Sequence, residues 1–341
     1  MSSDLAELEI DLLGLTTVTP SNASQNAACT DCNNNRLSTI YEFQRLVSII
    51  VPSIFGVVFI LGLIGNLLVL LVVLFYQNMR NTTNILILSL AVADLFFIVF
   101  CLPFTAAAYA LPTWPFGNAG CKLTQFMTYL SFFASVYTLV LLSLDRYLAV
   151  AHPIRSMRYR TERNTWLAVV ITWGGILLCI IPILFQYGEF TYNQEFESKS
   201  TCLNVAGLID PQVKKIFASC FFVFGYVIPL GIVCLMYGLM LKRLVGGVVP
   251  GDKHSAQSIR AKRRVTRMVI VVIVCFALCW LPVQIILTIR GFGQYPSTIW
   301  SIGLQLAANC LSYINSCINP FLYAFLSENF KRSFRKIICC F

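Results

Sequence analysis

Seven long apolar runs, separated by short polar connections, constrain this chain more than any other feature. They fall at about Leu46–Tyr76, Thr83–Leu111, Leu123–Ala151, Trp166–Tyr187, Val213–Leu241, Met268–Ile289 and Thr298–Leu326. Each reaches the roughly 20 residues that a helix needs to cross a bilayer. Hydrocarbon offers the backbone no hydrogen-bond partner, so the runs are expected to be helices rather than open sheet. Only 12% of the 341 residues are charged and 57% are hydrophobic, against about 25% charged in soluble domains. The expected fold is an all-α membrane protein: a polar tail at 1–45, a seven-helix bundle at 46–326, and a short amphipathic helix with an acylated tail at 327–341. A soluble all-α protein does not fit, because seven such runs leave too little polar surface.

Basic residues set the orientation. Connections after runs one, three and five, and the tail after run seven, hold 18 of the 25 Lys and Arg residues. Basic connections stay in the cytoplasm, so the N-terminus is expected outside the plasma membrane and the C-terminus inside. The net charge of +10 then needs no nucleic-acid partner. It is a face for anionic lipid and a cytoplasmic protein. No basic stretch followed by a short apolar core precedes residue 45, so the first run is expected to direct insertion behind a mobile leader. Asn22-Ala23-Ser24 is an outward glycosylation sequon, whereas Asn81-Thr82-Thr83 faces inward and should stay bare.

The 14 cysteines sort by location. Those within the runs are small apolar packers. Cys121 and Cys202 face the oxidising side and can pair. Cys29 and Cys32, also outside, could bridge, stay free or hold a metal; no second Cys/His pair supports the metal. Cys339 and Cys340 follow a segment with Phe330, Phe334, Ile337 and Ile338 on one helical face and Lys331, Arg332, Arg335 and Lys336 elsewhere. Such a helix lies in the membrane interface, and the two cysteines read as palmitoylation sites.

Ionisable groups inside spans are expensive and mark function. Only Asp94 sits deep in a run. Asn66, Ser135, Asn315, Ser316 and Asn319 could surround it. That oxygen-rich set suits a hard monovalent cation or trapped water better than a protonated, ion-free carboxyl. Asp145-Arg146-Tyr147 closes the third run. Adjacent helical residues point about 100° apart, so Arg146 can lie inward while Asp145 holds it. Trp280 stands in Cys279-Trp-Leu-Pro282, where packed core and switch coincide. Pro103, Pro182, Pro229, Pro282 and Pro320 each remove a helical hydrogen bond; the last three read as hinges.

Gly65-Asn66, Leu90-Ala-Val-Ala-Asp94, Asp145-Arg146-Tyr147, Trp166, Pro229 with Tyr237, Cys279-Trp280-Leu-Pro282 and Asn319-Pro320-x-x-Tyr323 occur in order. Together they resemble the rhodopsin-like (class A) G-protein-coupled receptors over about Leu46 to Cys340. The resemblance implies a Cys121–Cys202 tether for the second outer loop and an allosteric sodium ion at Asp94, Ser135, Asn315 and Ser316. It implies a central switch of Pro229, Val136 and Phe276. Tyr237, Tyr323 and Arg146 would meet in the active state, and Ile154 would insert into the G-protein α-subunit. Arrestin and receptor kinases follow as further partners. One departure stands out: Lys262 occupies the place of the acidic residue that locks the arginine in many members. Thr266 could offer a neutral hydrogen bond instead, and elevated basal activity is expected.

Thr128 stands where amine receptors carry aspartate, and Tyr313 where opsins carry the retinal lysine, so both ligand classes are disfavoured. What is left is a mouth of aromatic and amide groups: Tyr109, Gln125, Tyr129, Phe132, Gln284, Leu287, Arg290, Phe292, Tyr295 and Gln305. Glu189, Glu195 and Glu197 add an acidic rim that would steer cationic ligands. Thr83-Asn84-Ile-Leu-Ile-Leu-Ser-Leu and Leu111-Pro-Thr-Trp-Pro-Phe-Gly117 are similar to the galanin and allatostatin-A receptor group, the invertebrate allatostatin-A receptors above all. That likeness implies a C-terminally amidated neuropeptide ligand and coupling to Gi/o. Some galanin receptors carry a histidine where Gln284 and Leu287 stand, which weighs against galanin. The rivals are a lipid or chemokine-like ligand and, from another class, a transporter or channel; no internal repeat supports the latter. An enzyme has no support, since His152 and His254 are the only histidines and no nucleophile or metal cluster accompanies them.

Overall fold

The apolar runs form helices, and polar side chains cap the starts of several of them. The computed structural model describes residues 30–194, 197–246, 253–293, 295–296 and 298–338. Asn22, Cys29, Glu195, Cys339 and Cys340 lie outside the described residues, as do the side chains of Cys32, Glu197 and Lys262. In chain order the elements are α1 (Thr30–Phe75), α2 (Thr82–Phe100), α3 (Leu102–Ala110), α4 (Gly117–Ala151), α5 (Pro153–Ser156), α6 (Glu162–Cys179) and α7 (Ile183–Gln186). A hairpin follows, β1 (Tyr187–Gln194) and β2 (Glu197–Asn204), then α8 (Val205–Ile209) and α9 (Pro211–Phe222). After a π-helical turn at Val223–Val227 come α10 (Ile228–Gly246), α11 (Lys253–Gly291), α12 (Ile299–Leu326) and α13 (Glu328–Ile338).

Caps explain where the chain turns into helix. Asn81 accepts from the amide of Asn84 at the start of α2, and Thr161 from that of Asn164 at the start of α6. Asp210 accepts from Gln212 ahead of α9, and Thr298 and Ser301 form a reciprocal capping box for α12. Each satisfies amides that the first turn leaves open.

Among the described residues, six segments are long and apolar enough to cross a membrane, from Glu42–Phe75 through Thr266–Gly291. The seventh, α12, is 28 residues long and buries Gln305, Asn309, Asn315 and Asn319 on its inner face. It packs against both α11 and α1, closing a ring, while α4 runs through the middle against α2, α6 and α10. Large side chains such as Ile49, Val57 and Ile60 point outward from α1, as expected where the solvent is lipid.

The structure departs from the sequence reading in several places. α1 begins at Thr30, well before Leu46, and α11 at Lys253, well before Met268. Charged and polar residues continue both helices beyond the apolar runs, where hydropathy gives no signal. The second outer connection forms an antiparallel hairpin pairing Tyr187 with Asn204 and Glu189 with Cys202. Two prolines end helices rather than bending them: α2 stops at Phe100 and restarts with Pro103 in the first turn of α3, and α6 stops at Cys179 before Pro182 caps α7. Pro229 follows the π turn, while Pro282 and Pro320 lie within continuous helices, as does Pro52.

The amphipathic helix α13 forms as its pattern requires. Phe330 and Phe334 are buried, the Phe330 ring lies tilted against that of Tyr323 with centroids 5.6 Å apart, and Lys331, Arg332, Arg335 and Lys336 are exposed.

Small residues let α1 and α12 approach. A Cβ added at Gly65 would stand 3.0 Å from both Cβ and Cγ of Pro320, a rigid ring. Gly65→Val is therefore expected to cost about 1–3 kcal/mol by overpacking. A thermal melt of detergent-solubilised protein should show a midpoint several degrees lower; an unchanged midpoint would contradict this packing.

Candidate functional site

Three polar assemblies follow one another along the bundle. At the hairpin end, Cys202 in β2 is joined by a disulfide to Cys121 in α4, with Cα atoms 5.4 Å apart. Further ties hold the hairpin down. The Trp114 amide donates to the Ser200 carbonyl at 2.8 Å, and Ser200 Oγ donates back to the Trp114 carbonyl at 3.1 Å. The Glu189 amide donates to Asn118 Oδ1 at 3.2 Å, and the Tyr129 and Tyr187 hydroxyls share a hydrogen bond at 2.8 Å. Gly117, at φ 65°, makes the turn into α4 and accepts from Trp114 Nε1; only glycine adopts that backbone readily.

Below the hairpin lies a pocket lined by Gln125, Thr128, Tyr129, Phe132, Tyr187, Phe221, Trp280, Val283 and Leu287. None of these carries a formal charge. Gln284 and Gln305 are buried, at 0% and 3% exposure, and among the described residues none of their four amide atoms has a hydrogen-bond partner. Tyr109 receives a hydrogen bond from Asn309 Nδ2, and Tyr295 donates to the Ser301 carbonyl. Arg290 is buried, whereas Phe292 is exposed. Thus the structure places Gln125, Tyr129, Phe132 and Leu287 around one cavity and the other expected contacts outside its lining.

The floor of the pocket is Trp280, whose ring lies 4.4 Å from that of Phe132 and 6.0 Å from that of Phe276. Val136, Pro229 and Phe276, grouped by family resemblance, line one common cavity with Gly225 and Tyr226. The π turn brings this about. It presses Gly225 so close to α4 that a Cβ there would stand 2.7 Å from Phe132 Cε1. The Phe224 carbonyl accepts from Tyr137, and Tyr226 donates to the Ala277 carbonyl of α11.

Deeper still, Asn319 Nδ2 donates to Asp94 Oδ2 at 2.8 Å, and Asn66 Nδ2 donates to the Ser316 and Gly62 carbonyls. Ser135, Asn315 and Ser316 are all buried. Asp94 Oδ1, Asn66 Oδ1 and Asn315 Oδ1 are buried acceptors without a partner. Among the described residues no cluster of His, Cys, Asp and Glu could hold a metal ion, so oxygens of this kind are the donors on offer.

At the opposite end, Asp145 is a hub. Its Oδ1 accepts from Thr82 Oγ1 at 2.9 Å and Arg160 Nε at 2.8 Å; its Oδ2 accepts from Thr83 Oγ1 at 2.8 Å and Arg146 Nε at 3.1 Å. Arg146 Nη2 also reaches Asp145 and Thr83. Arg146 is buried and turned toward α2, and the buried hydroxyls of Tyr237 and Tyr323 have no partner. Among the described residues, Arg146 therefore makes no hydrogen bond to Tyr237 or Tyr323, the two residues it is expected to meet in an active state. Ile154, in the connection after α4, is 86% exposed.

The sequence matches the family described as 7 transmembrane receptor (rhodopsin family) over residues 65–323. The chain belongs to the rhodopsin family of seven-transmembrane receptors. It is 45% identical over 341 residues to an allatostatin-A receptor of Bombyx mori, covering 100% of this chain and 92% of that one. A galanin-like G-protein coupled receptor of Caenorhabditis elegans is 40% identical, over 89% of this chain and 77% of its own. Galanin receptor 2b of Danio rerio is 42% identical, over 86% and 76%. It follows that this is a multi-pass membrane receptor of the neuropeptide class, in a family whose members act through G proteins.

Two residues of the receptor escaped the sequence reading. Trp166, quoted as the marker in α6, is 43% exposed; it is Trp173 that enters the bundle, donating from Nε1 to Ser89 Oγ, which in turn meets Thr138 Oγ1. A tryptophan seven residues along the same apolar helix carried no distinguishing local signal. Arg160 was counted only as one of many basic residues, yet it binds Asp145. Asn81 proves to be a helix cap, with Thr82 and Thr83 beside it committed to Asp145.

Unpartnered buried amides cost about 1–3 kcal/mol each. Gln305→Met is therefore expected to raise the melting midpoint of the ligand-free receptor, through about 1–3 kcal/mol of added stability. A thermal melt in detergent checks this, and an unchanged or lower midpoint would contradict it. Asp145→Asn removes the charge that restrains Arg146, about 1–3 kcal/mol, and should raise basal GTP exchange about fivefold or more.

Proposed function

We propose that this receptor responds to allatostatin-A-type, C-terminally amidated peptides outside the cell and activates a heterotrimeric G protein of the Gi/o class within it. The N-terminus is extracellular and the basic, C-terminal end is cytoplasmic, at the plasma membrane. The observation that carries the reading is the uncharged aromatic and amide pocket beneath the stapled hairpin. A free carboxylate seated there would be buried without a counter-charge, whereas a carboxamide offers donors and an acceptor that neutral groups can match. The full-length likeness to the silkworm receptor supports the peptide class.

Agonist would favour a state in which Arg146 leaves Asp145 and Thr83 for Tyr237 and Tyr323, opening the end where Ile154 stands. Trp280, packed between Phe132 and Phe276, would pass ligand contact to the bend at Pro282. Asn319-Pro320 and Tyr323 would complete the rearrangement, with Tyr147 beside the opening. Arrestin and receptor kinases are proposed to engage the same end.

The partnerless oxygens of Asp94, Asn66 and Asn315, with Ser135 and Ser316, fit an allosteric sodium ion. Such an ion would neutralise the buried carboxylate and favour the closed bundle. Palmitate on Cys339 and Cys340 and glycan on Asn22 complete the proposal.

The test is GTP exchange on purified Gi/o. An amidated allatostatin-A peptide is expected to act about a hundredfold more potently than its free acid. No stimulation by any member of a panel of amidated peptides, galanin included, would reject the reading. For the ion, raising sodium at constant ionic strength should weaken agonist binding in wild type and leave Asp94→Asn unmoved; equal sensitivity in both would exclude the site.

A further inference from the structure

The carboxylate of Asp145 is shared. Besides Arg146, it binds Arg160, which lies 15 residues further on, between α5 and α6. Arg160 approaches Asp145 Oδ1 through Nε at 2.8 Å and Thr82 Oγ1 through Nη2 at 3.2 Å. One side chain therefore ties the connection after α4 to the end of α4 and to the first turn of α2. The backbone of that connection is itself hydrogen-bonded as a short unit: the Ser156 amide donates to the His152 carbonyl at 2.9 Å and the Arg160 amide to the Ser156 carbonyl at 2.8 Å. Ile154 sits inside this unit, fully presented, with Arg160 at its far end.

The geometry points to Arg160 as a positioning residue for G-protein activation. By clamping the second inner connection to Asp145, it holds Ile154 in a fixed place relative to Arg146. Unlike a solvated surface arginine, its contact atoms meet a carboxylate only 7% exposed, with three other donors on the same group. A planar guanidinium with two directed N–H groups can span carboxylate and hydroxyl together; an ammonium on a lysine stem keeps the charge but not that fork. Without the clamp, the connection must be ordered anew each time a partner docks, and the maximal response falls.

This inference rests on the G-protein reading above, and the experiment separates the two. Wild-type receptor, Arg160→Ala, Arg160→Lys, Asp145→Asn and the Asp145→Asn/Arg160→Ala double variant are purified in detergent. Binding of an amidated allatostatin-A peptide is measured without G protein, and peptide-stimulated GTP exchange on Gi/o with it. Arg160→Ala is expected to keep peptide affinity within about twofold of wild type, which also shows that it is folded. Its maximal exchange rate is expected to fall about fivefold or more, with Arg160→Lys recovering part of the loss. In the Asp145→Asn background, Arg160→Ala should cost clearly less, because the charged contact the two residues share is already gone and only the one to Thr82 remains intact. Full maximal exchange in Arg160→Ala, or an equal loss with and without Asp145, would overturn the assignment while leaving the receptor reading intact. A wild-type receptor that drives no exchange would overturn both.

Discussion

Hydrocarbon accepts no hydrogen bonds, and the architecture follows from that. The backbone closes on itself as helices, and every polar side chain within a span must find a partner inside the bundle or carry the cost of having none. Asn66, Asp94 and Asn319 bind across α1, α2 and α12; Ser89, Thr138 and Trp173 do so across α2, α4 and α6. These links fix which faces of the helices meet. Apolar contact alone does so poorly, since lipid tails are as apolar as leucine.

The groups left without partners are as informative as the links. Among the described residues two groups of them stand out, the amides of Gln284 and Gln305 and the oxygens around Asp94. A folded protein tolerates buried, unpaired polar atoms chiefly where something else is meant to meet them. Between the two lies the aromatic stack of Phe132, Phe276 and Trp280, which is well packed and polar only at one indole nitrogen. A change in occupancy above it has a rigid body to push against.

Much of this was legible in the residues. Run length gave the helices, and the spacing of Phe330, Phe334 and Ile337 gave α13. The in-order motifs located the disulfide, the Asp94 cluster and the cavity shared by Val136, Pro229 and Phe276. The hairpin was not legible: Tyr187–Asn204 shows no strict alternation, and its order comes from the disulfide and from Trp114, 86 residues before Ser200 in the chain. The hub at Asp145 was half legible. The adjacent arginine was plain, but Arg160 looked like any other basic residue of an inner connection, and only the fold brings it back to the carboxylate. The ends of α1 and α11 were hidden for a simpler reason, because polar residues continue a helix without any change of hydropathy to mark it.

The single wide turn at Val223–Val227 has a consequence for how the fifth span can vary. A π turn takes up one residue more than an α turn, so the segment holding Phe217 and Phe221 and the segment holding Tyr237 are set out of phase with each other. Loss of one residue there would restore regular winding and rotate one half against the other by about 100°. The cavity-lining face around Phe221 and the face that bears Tyr237 are thus separately indexed, and a one-residue change in length would swap neighbours at one end without altering a side chain at the other.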